Sequence, residues 1–316
     1  MAQISVTPAR GDFDLEIAAS ARALRSARIM RALKNAAWEL WKNRLASVGA
    51  AMVCTLFLVA ILAPVLATHD PVKQNYREML QSPSAAHYFG TDKFGRDIWS
   101  RIVWASQRMV TIAVLAVIVG IILGVPLGTV SGYYGGMLDS ITGRVVDAWI
   151  AIPPILLYLM AATIIRAYEL SLFWNTVGLI LALGIAQTPV KARLVRGSVL
   201  AEREKDYVEA SLATGESHLY IAFRQILPNC LSPVIIQSTI TLGTEILVLA
   251  ALSFLGLGAP PPTPDWGADL SLGRAHMQTH PYLAIFPGLA ISFAVLGFNL
   301  VGDGLRDILD PRTADR

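Results

Sequence analysis

Charged residues are scarce in this chain. Asp, Glu, Lys and Arg make up 16% of its 316 residues, against about 25% in soluble domains, and mean hydropathy is +0.52. That balance excludes an ordinary water-soluble globule and makes lipid part of the solvent. Cysteine is nearly absent. Cys54 lies in an apolar run and Cys230 at the end of a polar stretch; at different depths they cannot pair, and both read as small core residues. The five histidines show no metal-ligand spacing, with His276 and His280 beside Met277 the one suggestive pair, so no metal site is expected. Catalytic motifs are missing too. There is no Gly-x-x-x-x-Gly-Lys-Ser/Thr phosphate loop, no His-Glu-x-x-His and no Gly-x-Ser-x-Gly, so the chain is expected to be non-catalytic. A net charge of +3 implies no broad nucleic-acid surface. The first 47 residues are polar and basic, without the short apolar core of a secretory signal. The first apolar run is therefore expected to be an uncleaved span that leaves residues 1–47 in the cytosol.

What is present is a series of apolar runs. Six have about the 20 residues that cross a bilayer: 48–67, 109–130, 145–165, 173–190, 231–258 and 282–301. The expected fold is all-α, a polytopic membrane protein with six transmembrane helices and both termini on one face. Basic residues test the model independently. Eighteen fall on the face that holds the termini and 8 on the other, so the termini are expected to be cytosolic. Within the spans only Asp147 and Glu245 are charged, and intramembrane carboxylates are functional candidates by default. Both are candidates for the solute pathway, with Arg144 a structural partner for Asp147.

Several smaller patterns accompany the spans. Arg22, Arg25, Arg28, Arg31 and Lys34 precede Trp38 and Trp41, a basic collar suited to anionic membrane lipid with indoles at the headgroups. Gly120, Gly124 and Gly128 form a small-xxx-small ridge for close helix packing. Pro126, Pro153 and Pro154 free backbone carbonyls that protein or pore water must satisfy.

The 40-residue stretch from Lys191 to Cys230 is too long for a plain connection between helices. Asp206 to Ala213 reads as a short helix stopped at Gly215, and a second short amphipathic helix from about Ser217 ends at Pro228. The result is a helix-Gly-helix elbow, with Ala210 and Ala213 leaving room for a partner and Glu209 offering it a charge. Spacing alone leaves a docking knob and a plain interfacial hairpin equally open.

Glu209-Ala210-Ser211, Gly215 and Ile226-Leu227-Pro228 resemble the EAA loop of ABC importer permeases. Ser211 stands where the broad family has a second Ala, and Gln225 where it has Ile. His87 to Asp92, Gly95-Arg96-Asp97 and Ser100-Arg101 match the Gly-Thr-Asp-x-x-Gly-Arg-Asp signature of the dipeptide/oligopeptide C-type branch. Leu252 to Gly258, Asp265-Trp266-Gly267, and Gly302 to Asp307 with Asp310-Pro311 also resemble that branch. The resemblance covers roughly residues 40–312.

It implies a division into a basic segment 1–47, a first span with its periplasmic loop 48–108, and a permease core 109–316 that carries the coupling loop 191–230. By the same resemblance Glu209, Ala210, Ser211, Leu212, Gly215, Ile226, Leu227 and Pro228 belong to a coupling helix seated on a cytosolic ATPase. ATP and Mg would be bound by two such ATPase partners. A second permease and a periplasmic solute-binding protein would complete the importer. The implied cargo is peptides or peptide-like solutes, with nickel complexes, glutathione, opines or oligosaccharides as alternatives. The branch usually carries an acid where Leu249 stands; here Glu245 lies four residues earlier. A self-contained ion-coupled carrier would need charged or unwound midplane sites and usually an internal repeat; neither a repeat nor a basic midplane residue is visible.

Overall fold

The computed structural model describes residues 43–168 and 171–309; the basic collar, Trp38, Trp41 and Asp310-Pro311 lie outside them. Among the described residues the architecture is all-α, with a single isolated bridge between Thr91 and Asp97 in place of any sheet. We label the main helices α1 (Arg44–Ile61), α2 (Ile98–Tyr134), α3 (Gly136–Ile150), α4 (Pro154–Ala167), α5 (Leu172–Glu202), α6 (Asp206–Ala213), α7 (Leu231–Phe254), α8 (Trp266–Arg274) and α9 (Tyr282–Leu309). α1, α2, α5, α7 and α9 are each long and apolar enough to cross a membrane.

The expected third span, 145–165, is not one straight helix. α3 and α4 meet at a bend of 76°. Pro153 and Pro154 lack the N–H groups that would carry the helix through, and a residue preceding proline avoids helical backbone; Pro153 is accordingly extended, with ψ of 125°. Counted as one broken span, the pair brings the total to six. α2 starts earlier than its apolar run because Asp97 caps it, Oδ2 accepting from the Ser100 backbone N–H at 2.8 Å. α5 continues past its run to Glu202, so residues 191–202, expected as the start of a loop, are helix.

Two apolar clusters hold the bundle. The larger gathers Leu56, Ile102, Met109, Ile112, Leu183, Ile246, Leu252, Trp266, Ile291 and Phe298, with Leu249 among them. α2 and α5 lie against each other through the glycine ridge. A methyl group at Gly124 would come within 2.7 Å of the Thr188 carbonyl oxygen, and one at Gly120 within 3.0 Å of the Lys191 side chain. Gly128 faces the Ala192 backbone in the same way. Only hydrogen in place of a side chain allows that approach.

At the end of the bundle away from α6, the residues around the Gly-Thr-Asp-x-x-Gly-Arg-Asp signature fold into a closed clasp. Asp92 accepts from Phe94 N (2.8 Å), Arg96 N (3.0 Å) and Arg96 Nε (2.6 Å). Arg101, 3% exposed in its side chain, makes a bidentate pair with Asp269 of α8 and donates to the carbonyls of Pro71 and Pro262. Asp265 caps α8 through Gly267 N at 3.0 Å, accepts from Ser253 Oγ at 2.9 Å and pairs with Arg108 at 3.0 Å. Burial pushes the Asp265 carboxyl above the usual carboxylate range, against the pull of Arg108. Trp266 is buried and donates from Nε1 to the Ile102 carbonyl.

Candidate functional site

The turn of the elbow is built as the residue pattern predicts, as a Schellman motif, but Pro228 does not end the return helix: it lies inside a further helical turn, Leu227–Asn229, since a proline near the start of a turn loses no needed N–H. Gly215 N donates to Leu212 O at 3.1 Å and Glu216 N to Ser211 O at 3.2 Å, closing the end of α6. Gly215 stands at φ +79°, a left-handed conformation that a side chain disfavours. Ser217 then opens the return helix, its side chain accepting from Tyr220 N. That helix is wound as a π segment over Ile221–Ile226, with Leu227 N donating to Ala222 O. Pro228, which has no N–H to offer Arg224 O, lies two residues past its end in the next helical turn; a missing donor favours the wider turn.

The elbow is fastened to the bundle by the second apolar cluster. Val208 of α6, Ile221 and Ile226 of the return helix, and Cys230 pack with Val125 of α2, Val195 and Val199 of α5, and Val234 of α7. Burial raises the Cys230 thiol to about 11, which keeps it an unreactive packing group. Polar ties reinforce the junction. Glu202, at the end of α5, accepts from Tyr207 Oη and Asn229 Nδ2, both at 3.1 Å, and pairs with Lys205 at 2.6 Å. Arg203 donates to the carbonyls of Gly132 and Tyr133 at the end of α2. Tyr133 Oη and His218 Nδ1 are 2.9 Å apart.

The eight residues of the expected coupling set divide by exposure. Glu209, Ala210, Leu212, Gly215 and Pro228 are exposed, while Ile226 is buried and Ser211 and Leu227 are half-buried. The two departures from the broad pattern meet: Ser211 Oγ donates to Gln225 Oε1 at 2.8 Å, and Gln225 Nε2 reaches Glu216. Sequence reading noted both departures without a signal that they touch.

The two intramembrane acids have opposite surroundings. Glu245 on α7 is fully buried, with Oε1 accepting from Gln187 Nε2 at 2.7 Å and Oε2 without a hydrogen-bond partner among the described residues. Gln187 also donates to Tyr158 Oη at 3.1 Å. Lys191, assigned by sequence to the loop, is buried in α5; its Nζ donates to Ser238 Oγ of α7 at 3.2 Å, and it acts electrostatically on Glu245. This buried cation escaped sequence reading because it lies just past the apolar run. Asp147 is largely exposed and pairs with Arg193 of α5 rather than with Arg144. It lines a cavity of about 210 Å³ with Asp139, Arg144 and Arg196 at the elbow end.

Residues 124–315 match the family described as binding-protein-dependent transport system inner membrane component. Residues 32–83 match the N-terminal transmembrane domain of oligopeptide transport permease C. The chain belongs to this permease family. It is 42% identical over 274 residues to the dipeptide transport system permease protein DppC of Alkalihalophilus pseudofirmus, covering 87% of this chain and 88% of that protein. It is 41% identical to the DppC of Haemophilus influenzae, covering 87% and 94%. Against the glutathione transport system permease protein GsiD of Escherichia coli O1:K1 / APEC, identity is 39%, covering 87% and 90%. Inward-facing structures of the MetNI methionine ABC transporter share the fold, with TM-scores of 0.50 and 0.52 at 20% and 19% identity. They cover 66% and 67% of this chain, and 95% and 97% of the matched chains. This permease is thus a multi-pass membrane subunit of an ABC importer, a type of machine that works with ATPase partners.

Proposed function

We propose that this permease imports peptides or peptide-like solutes by alternating access, with its elbow seated in a cleft of an ATPase subunit. One observation carries the reading. The elbow is bolted by an apolar cluster to α2, α5 and α7, yet its Glu209, Ala210 and Leu212 face outward and Glu209 has no partner among the described residues. A knob rigidly joined to three spans transmits displacement to the bundle, and its uncovered face is free to receive it. In this reading residues 1–47 and both termini lie in the cytosol, residues 48–108 hold the first span and periplasmic loop, and residues 109–316 form the permease core. The complex contains a second permease, two ATPase subunits that bind ATP and Mg, and a periplasmic solute-binding protein. Peptide cargo is favoured by the dipeptide permeases among the relatives; the glutathione permeases support a related peptide-like alternative.

Glu245 is assigned to the solute pathway as a counter-charge for an amino terminus. Its unpartnered Oε2 supports this, since an unsatisfied buried oxygen is costly unless something fills it in another state. Asp147 is assigned to the charged vestibule at the elbow end. Affinity purification of the chain from its native membrane, followed by partner identification and an ATPase assay, tests the machine. Uptake of a labelled dipeptide into proteoliposomes containing the recovered complex tests the cargo. Recovery of a lone chain without ATPase activity would overturn the coupling assignment, and uptake of glutathione but not dipeptide would redirect the cargo.

A further inference from the structure

The clasp end of the bundle holds a group of residues that the transport reading leaves unused. His69 follows the first span, His87 lies in the loop beyond it and Asp97 caps α2, so the three are far apart in sequence. The fold brings one potential ligand atom from each within 4.8 Å of the others. The two imidazole rings lie 4.6 Å apart at a tilt of 33°. His87 and Asp97 are buried, whereas His69 is half exposed and lines an open cavity of about 700 Å³.

We propose that His69, His87 and Asp97 bind a divalent cation of the zinc class. The case begins with His87, which has a carboxylate at each ring nitrogen. Nδ1 is 2.9 Å from Asp97 Oδ1, and Nε2 is 3.6 Å from Glu78 Oε2. A neutral imidazole has one donor and one acceptor nitrogen. With its proton on Nε2, facing Glu78, His87 turns the Nδ1 lone pair toward an anionic oxygen, and a cation between them satisfies both. A ligand histidine characteristically donates its other N–H to a carboxylate or carbonyl in this way.

Asp97 divides its oxygens between two tasks. Oδ2 accepts from Ser100 N at 2.8 Å and Ser100 Oγ at 2.6 Å, which leaves Oδ1 for the metal. His69 Nδ1 is 3.9 Å from Asp97 Oδ2. Ligands of a tetrahedral zinc at about 2.0–2.1 Å lie about 3.3 Å from one another; His87 Nδ1 and Asp97 Oδ1 are 2.9 Å apart, and one ligand atom from each of the three residues lies within 4.8 Å of the others. Two imidazoles and one carboxylate suit zinc, with nickel and copper as competitors for the nitrogens. The fourth position would be taken by water from the cavity side. Bound there, the ion ties the end of the first span to the start of α2. His276 and His280, the pair suggested by sequence, are half-buried and their ring centres lie 6.5 Å apart; the proposal does not include them.

The test uses the full-length chain copurified with its partner subunits, stripped with a chelator and titrated with zinc alone by calorimetry, with elemental analysis for stoichiometry. We expect one site on this chain with a Kd near or below about 1 µM. His69→Ala, which removes the exposed ligand without opening the core, should weaken that site at least about tenfold. Asp97→Asn should do the same while keeping the helix cap, since asparagine caps as well as aspartate. His276→Ala with His280→Ala should leave the site unchanged. If zinc binding is absent, or is unaltered by both His69→Ala and Asp97→Asn, the proposal is wrong and His87 to Asp97 is a structural hydrogen bond. Should Asp97→Asn fail to assemble, the His69→Ala titration decides alone. This inference is independent of the cargo and of the coupling assignment.

Discussion

The clasp and the elbow stand at opposite ends of one bundle and use their motif residues in opposite ways. In the clasp Asp92, Arg96, Asp97, Arg101, Asp265 and Trp266 are all buried and bonded to one another or to backbone. In the elbow Glu209, Ala210, Leu212 and Gly215 are exposed, and only the underside formed by Val208, Ile221 and Ile226 is packed. A motif that satisfies itself serves the fold. A motif whose polar and apolar groups are left facing outward on a rigid base serves something outside the chain. Buried charges that lose a partner are penalised heavily, while exposed ones are nearly free to change, so the two ends should respond to substitution in different currencies.

The sharpest break is expected at the clasp. Asp265→Ala strands Arg108, Ser253 Oγ and the first N–H groups of α8, and should cost about 3–5 kcal/mol, seen as a lower unfolding temperature of the purified complex. At the elbow Gly215→Pro demands φ near −65° where the chain holds +79°, and it removes the N–H donated to Leu212. The strain should be about 1–3 kcal/mol, with the subunit still inserted but transport abolished; full transport would refute coupling through this turn. A smaller effect should come from the Ser211 and Gln225 pair. In a double-mutant cycle of Ser211→Ala and Gln225→Leu, the stability coupling is expected at about 1 kcal/mol, and a value near zero would show that the two departures from the family pattern are unrelated. Least visible to thermal melting is Glu209→Ala, with a change within about 0.5 kcal/mol. Its effect should appear as a loss of solute-stimulated ATPase activity, and an unchanged ratio would move the contact elsewhere on the elbow.

Much of this architecture was legible in the residues. Five apolar runs fall on five spanning helices, because hydropathy over about 20 residues is a local property that lipid enforces. The glycine ridge was legible for the same reason, since residues four apart share a helix face. The third run carried two signals at Pro153 and Pro154: their apolar side chains fit a span and their missing N–H groups fit a bend, and the 76° break between α3 and α4 shows both. The candidate site was legible as a pattern of positions but not as surfaces. Nothing in the order Ser211 to Gln225 says that those side chains meet, and nothing in the order His69, His87, Asp97 places them together.

The order of residues was enough for a lipid-embedded helical bundle with a glycine-hinged elbow, because composition, helix length and turn chemistry depend on near neighbours in the chain. Tertiary structure alone decided which face of the elbow remains open, that Arg193 rather than Arg144 pairs with Asp147, and that Lys191 is buried beside α7. Each of these depends on how α5 is rotated and seated against α2, α3 and α7, a choice made by packing residues distant in the chain.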